Sequence, residues 1–365
     1  MPVMQVIRLS LLFVFASIAA AQSPAPPQPQ VWQMQDSGTT AGLRGIDSVD
    51  GTVAWASGTG GTVLKTTDGG MHWLKCAVPD GATDGVTLDF RGVQAWDADT
   101  AIVMASGPGE KSRLYKTMDG CRTWKLVFRN PDKDGFWDAI QFDGKQNGMI
   151  LGDPVGGFFA TLITLDGGTH WRRQQPHGLE IHNSQEAIFA ASNSSLIMFT
   201  FLAHRYLVIG GPSGAYFIQC HGELFIGGKP ENVDCGRNPE RLPLTYGTES
   251  SGAFAIGMAP NVLIAAGGDY TKPNESAGTA AWSSDVGEHW TASAKPPNGY
   301  RSAVQWSESL KLWITAGTNG SDVSRNDGKT WQPLDNGNWN ALSLPFVVGP
   351  NGRIARLNPA AIPKP

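Results

Sequence analysis

Several short apolar segments of the chain begin with polar or aromatic residues whose chemistry suits ligand binding. An arginine guanidinium recognises a carboxylate through two parallel hydrogen bonds, and arginines stand at three of these openings. If the segments begin beside one axis, their first residues converge on a concave surface, the usual location of a ligand site. The predicted ligand- or partner-binding residues are Arg44, Arg91, Trp137, Asp138, Glu186, Tyr300, Arg301 and Trp339. Alternatively, each arginine pairs with an acid of a neighbouring segment and only stabilises the fold.

Other residue types in the chain argue against metal or cofactor chemistry. His72, His170 and His289 each precede a tryptophan, but they fall in different repeats and cannot share one ion. The stretch NPDKDGFWD (130–138) begins like a calcium loop, although Gln141 stands where such a loop places glutamate. No G-x-G-x-x-G opens a helix after a strand and no C-x-x-C-H occurs, so we predict no metal and no cofactor.

Five octets punctuate the segments: TTDGGMHW (66–73), TMDGCRTW (117–124), TLDGGTHW (164–171), SSDVGEHW (283–290) and SRNDGKTW (324–331). The aspartate can accept hydrogen bonds from backbone N–H groups of a tight turn, glycine supplies positive φ, and the tryptophan begins a strand. In the last octet Asn326 stands at the aspartate position with Asp327 beside it. We assign a structural role to Asp68, Trp73, Asp119, Trp124, Asp166, Trp171, Asp285, Trp290, Asp327 and Trp331.

The spacing of these octets predicts a ring of repeated units. Each octet follows three short β-rich segments, so each unit has four strands, and successive tryptophans lie 51, 47 and 41 residues apart where the repeat is uninterrupted. The interval of 119 residues between Trp171 and Trp290 has room for two units, one without an octet. A last unit lacks its fourth strand, which VWQMQDSG (31–38) can supply. The predicted fold class is all-β, a seven-bladed β-propeller of four-stranded antiparallel blades whose ring is closed by the N-terminal strand.

The octets are similar to the Asp-box, or bacterial neuraminidase repeat. Over residues 31–358 the chain resembles seven-bladed propellers of the photosystem II stability/assembly factor type, including secreted bacterial homologues often labelled oxidoreductase or glycosyl hydrolase. The stretches FWDAIQFDGKQNGMILGDPVGG, AAGGDY, GYRSAV and NGRIARL carry this resemblance. It implies a non-enzymatic scaffold that binds a protein partner, or a small polar or anionic ligand in the central funnel, on the face of the segment openings. The Asp-boxes would then lie on the opposite face.

A glycoside hydrolase of the sialidase type is the alternative function. It would draw on Asp138 as acid/base, Glu186 as helper and Tyr300 as nucleophile, together with three arginines. However, the arginine–isoleucine–proline motif of sialidases is replaced by Arg44-Gly45-Ile46, and sialidases usually have six blades. We therefore favour a protein that is not an enzyme.

The N-terminus has the pattern of a secretory signal peptide, with a single Arg8, an apolar run and a small-residue cleavage site after Ala21. The predicted organisation is a signal peptide over 1–21, a proline-rich linker over 22–30, one propeller over 31–358 and a tail over 359–365. We expect a periplasmic or secreted monomer without a transmembrane segment in the mature chain. The net charge of −4 and the lack of long basic runs argue against nucleic-acid binding.

Four cysteines in an oxidising compartment can form disulfides, and four allow three pairings. We favour Cys220–Cys235, which closes a local loop. Cys76 and Cys121 remain as a possible bridge between adjacent repeats.

Overall fold

The computed structural model describes residues 30–174, 177–181, 185–199, 204–222, 234–236 and 239–364. Within them, the strands form seven four-stranded antiparallel sheets, and each sheet packs on the next in chain order. The seventh sheet also contacts the first, so the sheets close into a ring. The predicted seven-bladed β-propeller is confirmed. The predicted signal peptide and nearly all of the linker lie outside the described residues.

The N-terminal strand is β1 (Trp32–Gln35). Blades 1 and 2 contain β2 (Leu43–Ser48), β3 (Ala54–Gly58), β4 (Val63–Thr66), β5 (Leu74–Lys75), β6 (Phe90–Ala95), β7 (Ala101–Ala105), β8 (Arg113–Thr117) and β9 (Lys125–Arg129). Blades 3 and 4 contain β10 (Trp137–Asp143), β11 (Asn147–Val155), β12 (Phe158–Thr164), β13 (Arg172–Gln174), β14 (Leu196–Phe199), β15 (His204–Ile209), β16 (Tyr216–His221) and β17 (Glu240–Arg241).

Blades 5 and 6 contain β18 (Ser251–Ala259), β19 (Val262–Asp269), β20 (Ala280–Ser283), β21 (Thr291–Ala292), β22 (Ala303–Ser307), β23 (Leu312–Gly317), β24 (Gly320–Ser324) and β25 (Gln332–Asp335). Blade 7 consists of β26 (Ala341–Ser343), β27 (Phe346–Val348), β28 (Ile354–Leu357) and β1. No helix among these residues is long and apolar enough to cross a membrane.

The ring closes through the two ends of the chain. Strand β1 pairs antiparallel with β28, placing Trp32 opposite Leu357 and Gln35 opposite Ile354. Trp32 is buried against Trp339, with ring centroids 6.1 Å apart, and its Nε1 donates to Ser321 Oγ at 2.8 Å. The closure therefore joins blade 7 to blade 6 through packing as well as through the strand ladder.

The core lies between the blades. The second strands β3 and β7 are buried at every residue, whereas the outer strands β5 and β21 are exposed, because only the inner part of each blade is covered on both faces. This arrangement leaves the first residues of the inner strands at one end of a central channel. The turns between third and fourth strands lie at the other end.

The Asp-box turns join the third and fourth strands of blades 1, 2, 3, 5 and 6 within the described part of the chain. In the first, Thr66 Oγ1 donates to Asp68 Oδ1 at 2.9 Å and accepts from the Gly70 N–H at 2.9 Å. Asp68 also accepts from the His72 N–H at 3.0 Å. The same bonds recur in the boxes of Asp119, Asp166 and Asp285.

The sixth-blade box corrects one assignment. Asn326, not Asp327, accepts the hydroxyl of Ser324 at 3.1 Å and the N–H of Thr330 at 3.0 Å. Asp327 occupies the next position, which has a positive φ of 56°. The assignment of the Asp-box role to Asp327 is therefore wrong. The turn needs a hydrogen-bond acceptor at position three of the octet, whether or not that residue is charged.

Both disulfides are present. Cys76–Cys121 links the end of blade 1 to the Asp-box of blade 2, across 45 residues of sequence. Cys220–Cys235 lies within blade 4, where it connects the end of β16 to a segment 15 residues later. Each bond closes a loop of the chain, which lowers the conformational entropy of the unfolded state.

Candidate functional site

A cavity of about 480 Å³ lies at the end of the channel where the first strands begin, and we call it the funnel. All seven blades contribute to it. Its lining consists of Arg44, Arg91, Phe136, Asp138, Asp153, Ile188, Phe189, Ala190, Ala191, Phe254, Tyr270, Tyr300, Ser302, Thr318 and Asn340.

Four of the lining side chains are presented by β-bulges. Near the start of β2, β6, β10 and β18, the pairing with the second strand skips one residue. The skipped residues are Arg44, Arg91, Asp138 and Phe254. A bulge redirects its extra side chain, and here each of the four redirected side chains lines the funnel.

Arg44, Arg91, Asp138 and Tyr300 are the sequence-predicted residues that the structure brings together in the funnel. The other four predicted residues, Trp137, Glu186, Arg301 and Trp339, do not line it. Their placement there was wrong, and the reasons differ from one residue to the next.

Trp137 and Trp339 belong to the core between blades. Trp137 stands one residue before a bulge and stacks on Phe128, with centroids 5.9 Å apart. The Trp339 Nε1 donates to Asp335 Oδ2 at 3.0 Å, and its ring packs on Trp32. In each case the funnel position belongs to the following residue, because successive side chains of a strand point to opposite sides.

Arg301 is a structural residue. It is 1% exposed, and its Nε donates to Asp322 Oδ2 at 2.6 Å. Its Nη1 donates to the Tyr300 carbonyl at 2.7 Å. The alternative in which an arginine only stabilises the ring therefore describes Arg301, although the paired acid belongs to the same blade. Glu186 is likewise buried away from the funnel.

The two funnel arginines differ in their partners. Arg91 Nε donates to Asp89 Oδ2 at 2.8 Å, and its Nη1 donates to the Ala190 carbonyl at 3.2 Å. Arg44 has no hydrogen-bond or ion-pair partner among the described residues, and its Nε is buried. Burial lowers the pKa of Arg44, and the nearby Arg91 acts in the same direction. Asp89 and Tyr300 act in the opposite direction on this pKa. Arg44 is thus a cation that no described residue contacts through a hydrogen bond or an ion pair.

Two carboxyl groups lie together in the wall next to Arg91. Asp138 is 1% exposed, and burial followed by the neighbouring Asp153 raises its pKa well above the ordinary value. Burial also raises the pKa of Asp153. Arg91 and the N–H groups of Asp153 and Ala190 oppose the shift at Asp138 without cancelling it. Among described atoms, Asp138 Oδ2 has no hydrogen-bond partner.

The opposite wall is aromatic. Phe189 stacks on Phe254 with centroids 3.8 Å apart, and Tyr300 meets Phe254 edge-on at 4.8 Å. Tyr270 completes this cluster. The funnel therefore has a charged half from blades 1 to 3 and an aromatic half from blades 4 to 6.

Sequence reasoning missed the part of the funnel that comes from the ends of the second strands. Asp153 lies near the end of β11, and Tyr270 and Thr318 directly follow β19 and β23. Each follows a glycine by one or two positions, in LGD, GGDY and AGT. This shared position after a glycine at the end of a second strand could have indicated these residues. The end of a second strand lies beside the start of its antiparallel first strand, and therefore beside the funnel.

The other mouth of the channel has a different character. Its cavity of about 390 Å³ includes Asp47, Gln94 and Gln141, one from each of blades 1 to 3. Gln94 Nε2 donates to Asp47 Oδ2 at 3.0 Å, and Gln141 Nε2 donates to the Asn193 carbonyl at 2.9 Å. Burial raises the pKa of Asp47 to about 6. The Ala95 N–H also donates to Asp47 Oδ2, so these polar groups have partners within the protein.

One group of residues in the described part of the chain could hold a metal ion. The ligand atoms of Asp285, Glu288 and His289 lie within 4.8 Å of one another on the fifth-blade Asp-box. This group is largely exposed, and His289 already bonds Asp285 Oδ2 at 2.7 Å. His72 and His170 bond the aspartates of their own boxes in blades 1 and 3, so the three histidines lie apart.

Comparison with known proteins identifies the fold. No family model matches the chain, and no curated protein matches it. The solved structure "YCF48 bound to D1 peptide" is 17% identical, with a TM-score of 0.59, over 91% of this chain and 99% of that one. YCF48 from Cyanidioschyzon merolae is 17% identical with a TM-score of 0.59, over 90% and 99%. The chain therefore has the propeller fold of YCF48, in agreement with its resemblance to propellers of the photosystem II stability/assembly factor type.

Proposed function

We propose that this protein is a non-enzymatic scaffold whose funnel binds an acidic segment of a protein partner. The observation that carries the proposal is Arg44, a funnel-lining cation with no partner among the described residues. A half-buried guanidinium without a hydrogen-bond partner is unfavourable, and a ligand carboxylate would satisfy it through two hydrogen bonds.

The shape of the funnel supports a peptide as the ligand. A volume of about 480 Å³ accommodates a few residues. The aromatic half offers Phe254 and Tyr270 to an apolar side chain beside the acidic group. A YCF48 propeller has been solved with a D1 peptide, which shows that this fold can hold a peptide in that protein.

The test is binding of a peptide library that pairs acidic with apolar residues. We expect Arg44→Ala to lose binding by about tenfold or more and Arg44→Lys to restore only part of it, because lysine lacks the guanidinium fork. Arg122→Ala is the matched control, since Arg122 is an exposed arginine of the second Asp-box. Equal binding by wild type and Arg44→Ala would contradict the proposal.

The glycoside hydrolase alternative has one supporting observation, the Asp138 and Asp153 carboxyls in the same cavity. The other parts do not assemble. Glu186 lies outside the funnel, Arg301 is held by Asp322, and burial raises the pKa of Tyr300, which disfavours an ionised nucleophile. Turnover of fluorogenic glycosides by the purified protein, abolished by Asp138→Asn, would replace the scaffold with the enzyme.

We also propose that the mature protein acts in the periplasm or outside the cell. The signal-peptide pattern ending at Ala21 supports this. N-terminal sequencing of protein recovered from the native cell envelope and medium tests it, and a retained residue 1–21 segment would contradict it.

A further inference from the structure

We propose that Asp138 determines specificity in the funnel by keeping a proton and donating its carboxyl O–H to a carbonyl or carboxylate oxygen of the bound segment. Arg44 would bind the acidic group, and Asp138 would donate a hydrogen bond to a second acceptor on the same ligand. This inference rests on the proposed function and names how the site recognises its ligand.

Geometry is the first support. Asp138 is the bulge residue of β10, lines the cavity and is 1% exposed. Its Oδ2 has no donor within the described residues. An ionised oxygen without a donor is very unfavourable in a buried place, whereas a protonated one carries an O–H that can point at a ligand.

The charges that surround Asp138 give the second support. Asp153 faces it from β11 and repels a negative charge, and burial raises the pKa of both groups. Arg91, from β6, favours the ionised form but is already shared with Asp89 and the Ala190 carbonyl. Across the cavity stand Arg44 and Tyr300.

A ligand cation is the competing explanation for an unpartnered carboxyl. Arg44 and Arg91 line the same cavity, and they would repel a cation that bound there. A neutral hydrogen-bond donor suits an acidic ligand, whereas an ionised pair of aspartates would reject it. The arginines thus argue against a bound cation, whereas burial and Asp153, which outweigh Arg91, favour the protonated form of Asp138.

The proton can be observed without any ligand. Infrared difference spectra of wild type against Asp138→Asn report whether a protonated carboxyl band at neutral pH belongs to Asp138. We expect the band, and we expect it to disappear at a lower pH in Asp153→Asn, because that change removes the repelling charge. No band at neutral pH would overturn the proposal.

Binding tests the donor role with acetyl-aspartyl-phenylalanine amide, which offers a carboxylate, carbonyls and an aromatic ring. We expect Asp138→Asn, which keeps an N–H donor, to bind within a few-fold of wild type and without its pH dependence. Asp138→Ala should bind about tenfold more weakly. Wild-type affinity should fall across the pH range in which the infrared band disappears.

The possible outcomes separate the two proposals. If the peptide binds wild type and Asp138→Ala equally well, this inference fails and the proposed function stands. If affinity rises as the band disappears, Asp138 accepts a ligand donor and the inference is again overturned. If neither this peptide nor the library binds wild type, the proposed function fails, and the ligand role of Asp138 fails with it even when the band is present.

Discussion

The Asp-box end and the funnel end of the blades both carry aspartates, but the hydrogen bonds that these polar groups make differ. At the Asp-box end, both carboxylate oxygens of Asp68 accept hydrogen bonds, as do those of Asp119, Asp166 and Asp285. At the funnel, Arg44 Nε, Asp138 Oδ2 and Thr318 Oγ1 are buried without a partner in the described structure. The box carboxylates are thus satisfied within the fold, whereas three polar atoms of the funnel are not. Other buried atoms without a described partner, such as Trp290 Nε1 and Trp313 Nε1, lie elsewhere in the propeller.

The pKa shifts of the box aspartates and of the funnel acids also differ in direction, although Asp47, at the mouth opposite the funnel, has a raised pKa like the funnel acids. The backbone N–H of His72 holds the pKa of Asp68 at about 2, and the N–H of His289 does the same for Asp285. The Thr123 hydroxyl lowers the pKa of Asp119 to about 2. The pKa of Asp166 is also about 2, although burial acts against it. In the funnel, burial raises the pKa of Asp138 and Asp153 instead.

The largest expected effect separates the structural arginine from the binding arginine. Asp322→Ala leaves Arg301 charged and unpaired in the core, which should lower the free energy of unfolding by about 3–5 kcal/mol. Arg44→Ala should change it by less than about 1 kcal/mol while removing ligand binding. Urea unfolding of both variants measures this, and equal destabilisation would break the distinction.

The next effect concerns the Asp-box hydroxyl. Thr164→Val removes the group that bonds Asp166 Oδ1 at 2.9 Å and accepts the Gly168 N–H at 2.9 Å. The buried N–H loses its partner, so we expect a loss of about 1–3 kcal/mol in urea unfolding. Thr318, whose hydroxyl is buried without a described partner, is the matched control, and Thr318→Val should be close to neutral.

The box aspartates and the funnel acids should also contribute oppositely to the pH dependence of stability. The four box aspartates have folded pKa values of about 2, below the ordinary value, so their stabilisation is complete above pH ~5 and is lost as pH falls toward 2. The funnel acids have raised folded pKa values, so their contribution is lost as pH rises through those values. Thermal unfolding across pH measures both, and Asp138→Asn should reduce the loss of stability with rising pH without changing the loss at low pH.

The smallest effect lies in the fifth box. Val286 has a positive φ of 59° at a position where three of the other boxes have glycine. A β-branched residue is strained there, so Val286→Gly should raise the free energy of unfolding by about 0.5–1 kcal/mol. A fall in the melting temperature of this variant would contradict the strain.

The sequence determines the fold more plainly than the funnel for a physical reason. An Asp-box is local, so eight consecutive residues contain its donors, acceptors and glycines, and repetition shows the number of blades. Even there the assignment of Asp327 by its charge was wrong, because the turn needs a hydrogen-bond acceptor at position three and Asn326 supplies it.

The residues of the funnel are set by β-bulges and by strand pairing, which the sequence alone does not show. A bulge shifts alternation by one residue, which places Arg44 and Asp138 in the funnel and leaves Trp137 in the core. In blade 6 the described pairing of β22 shows no such shift, and Tyr300 and Ser302 line the funnel while Arg301 between them is buried. Asp153 joins the site only because β11 returns beside β10.

A crystal structure of the propeller with acetyl-aspartyl-phenylalanine amide tests the central claim most directly. We predict the ligand carboxylate on the Arg44 guanidinium, the ring against Phe254 and a ligand oxygen within hydrogen-bond distance of Asp138. A funnel in which Arg44 is neutralised by an acid of the protein itself, with the ligand bound elsewhere, would contradict the account.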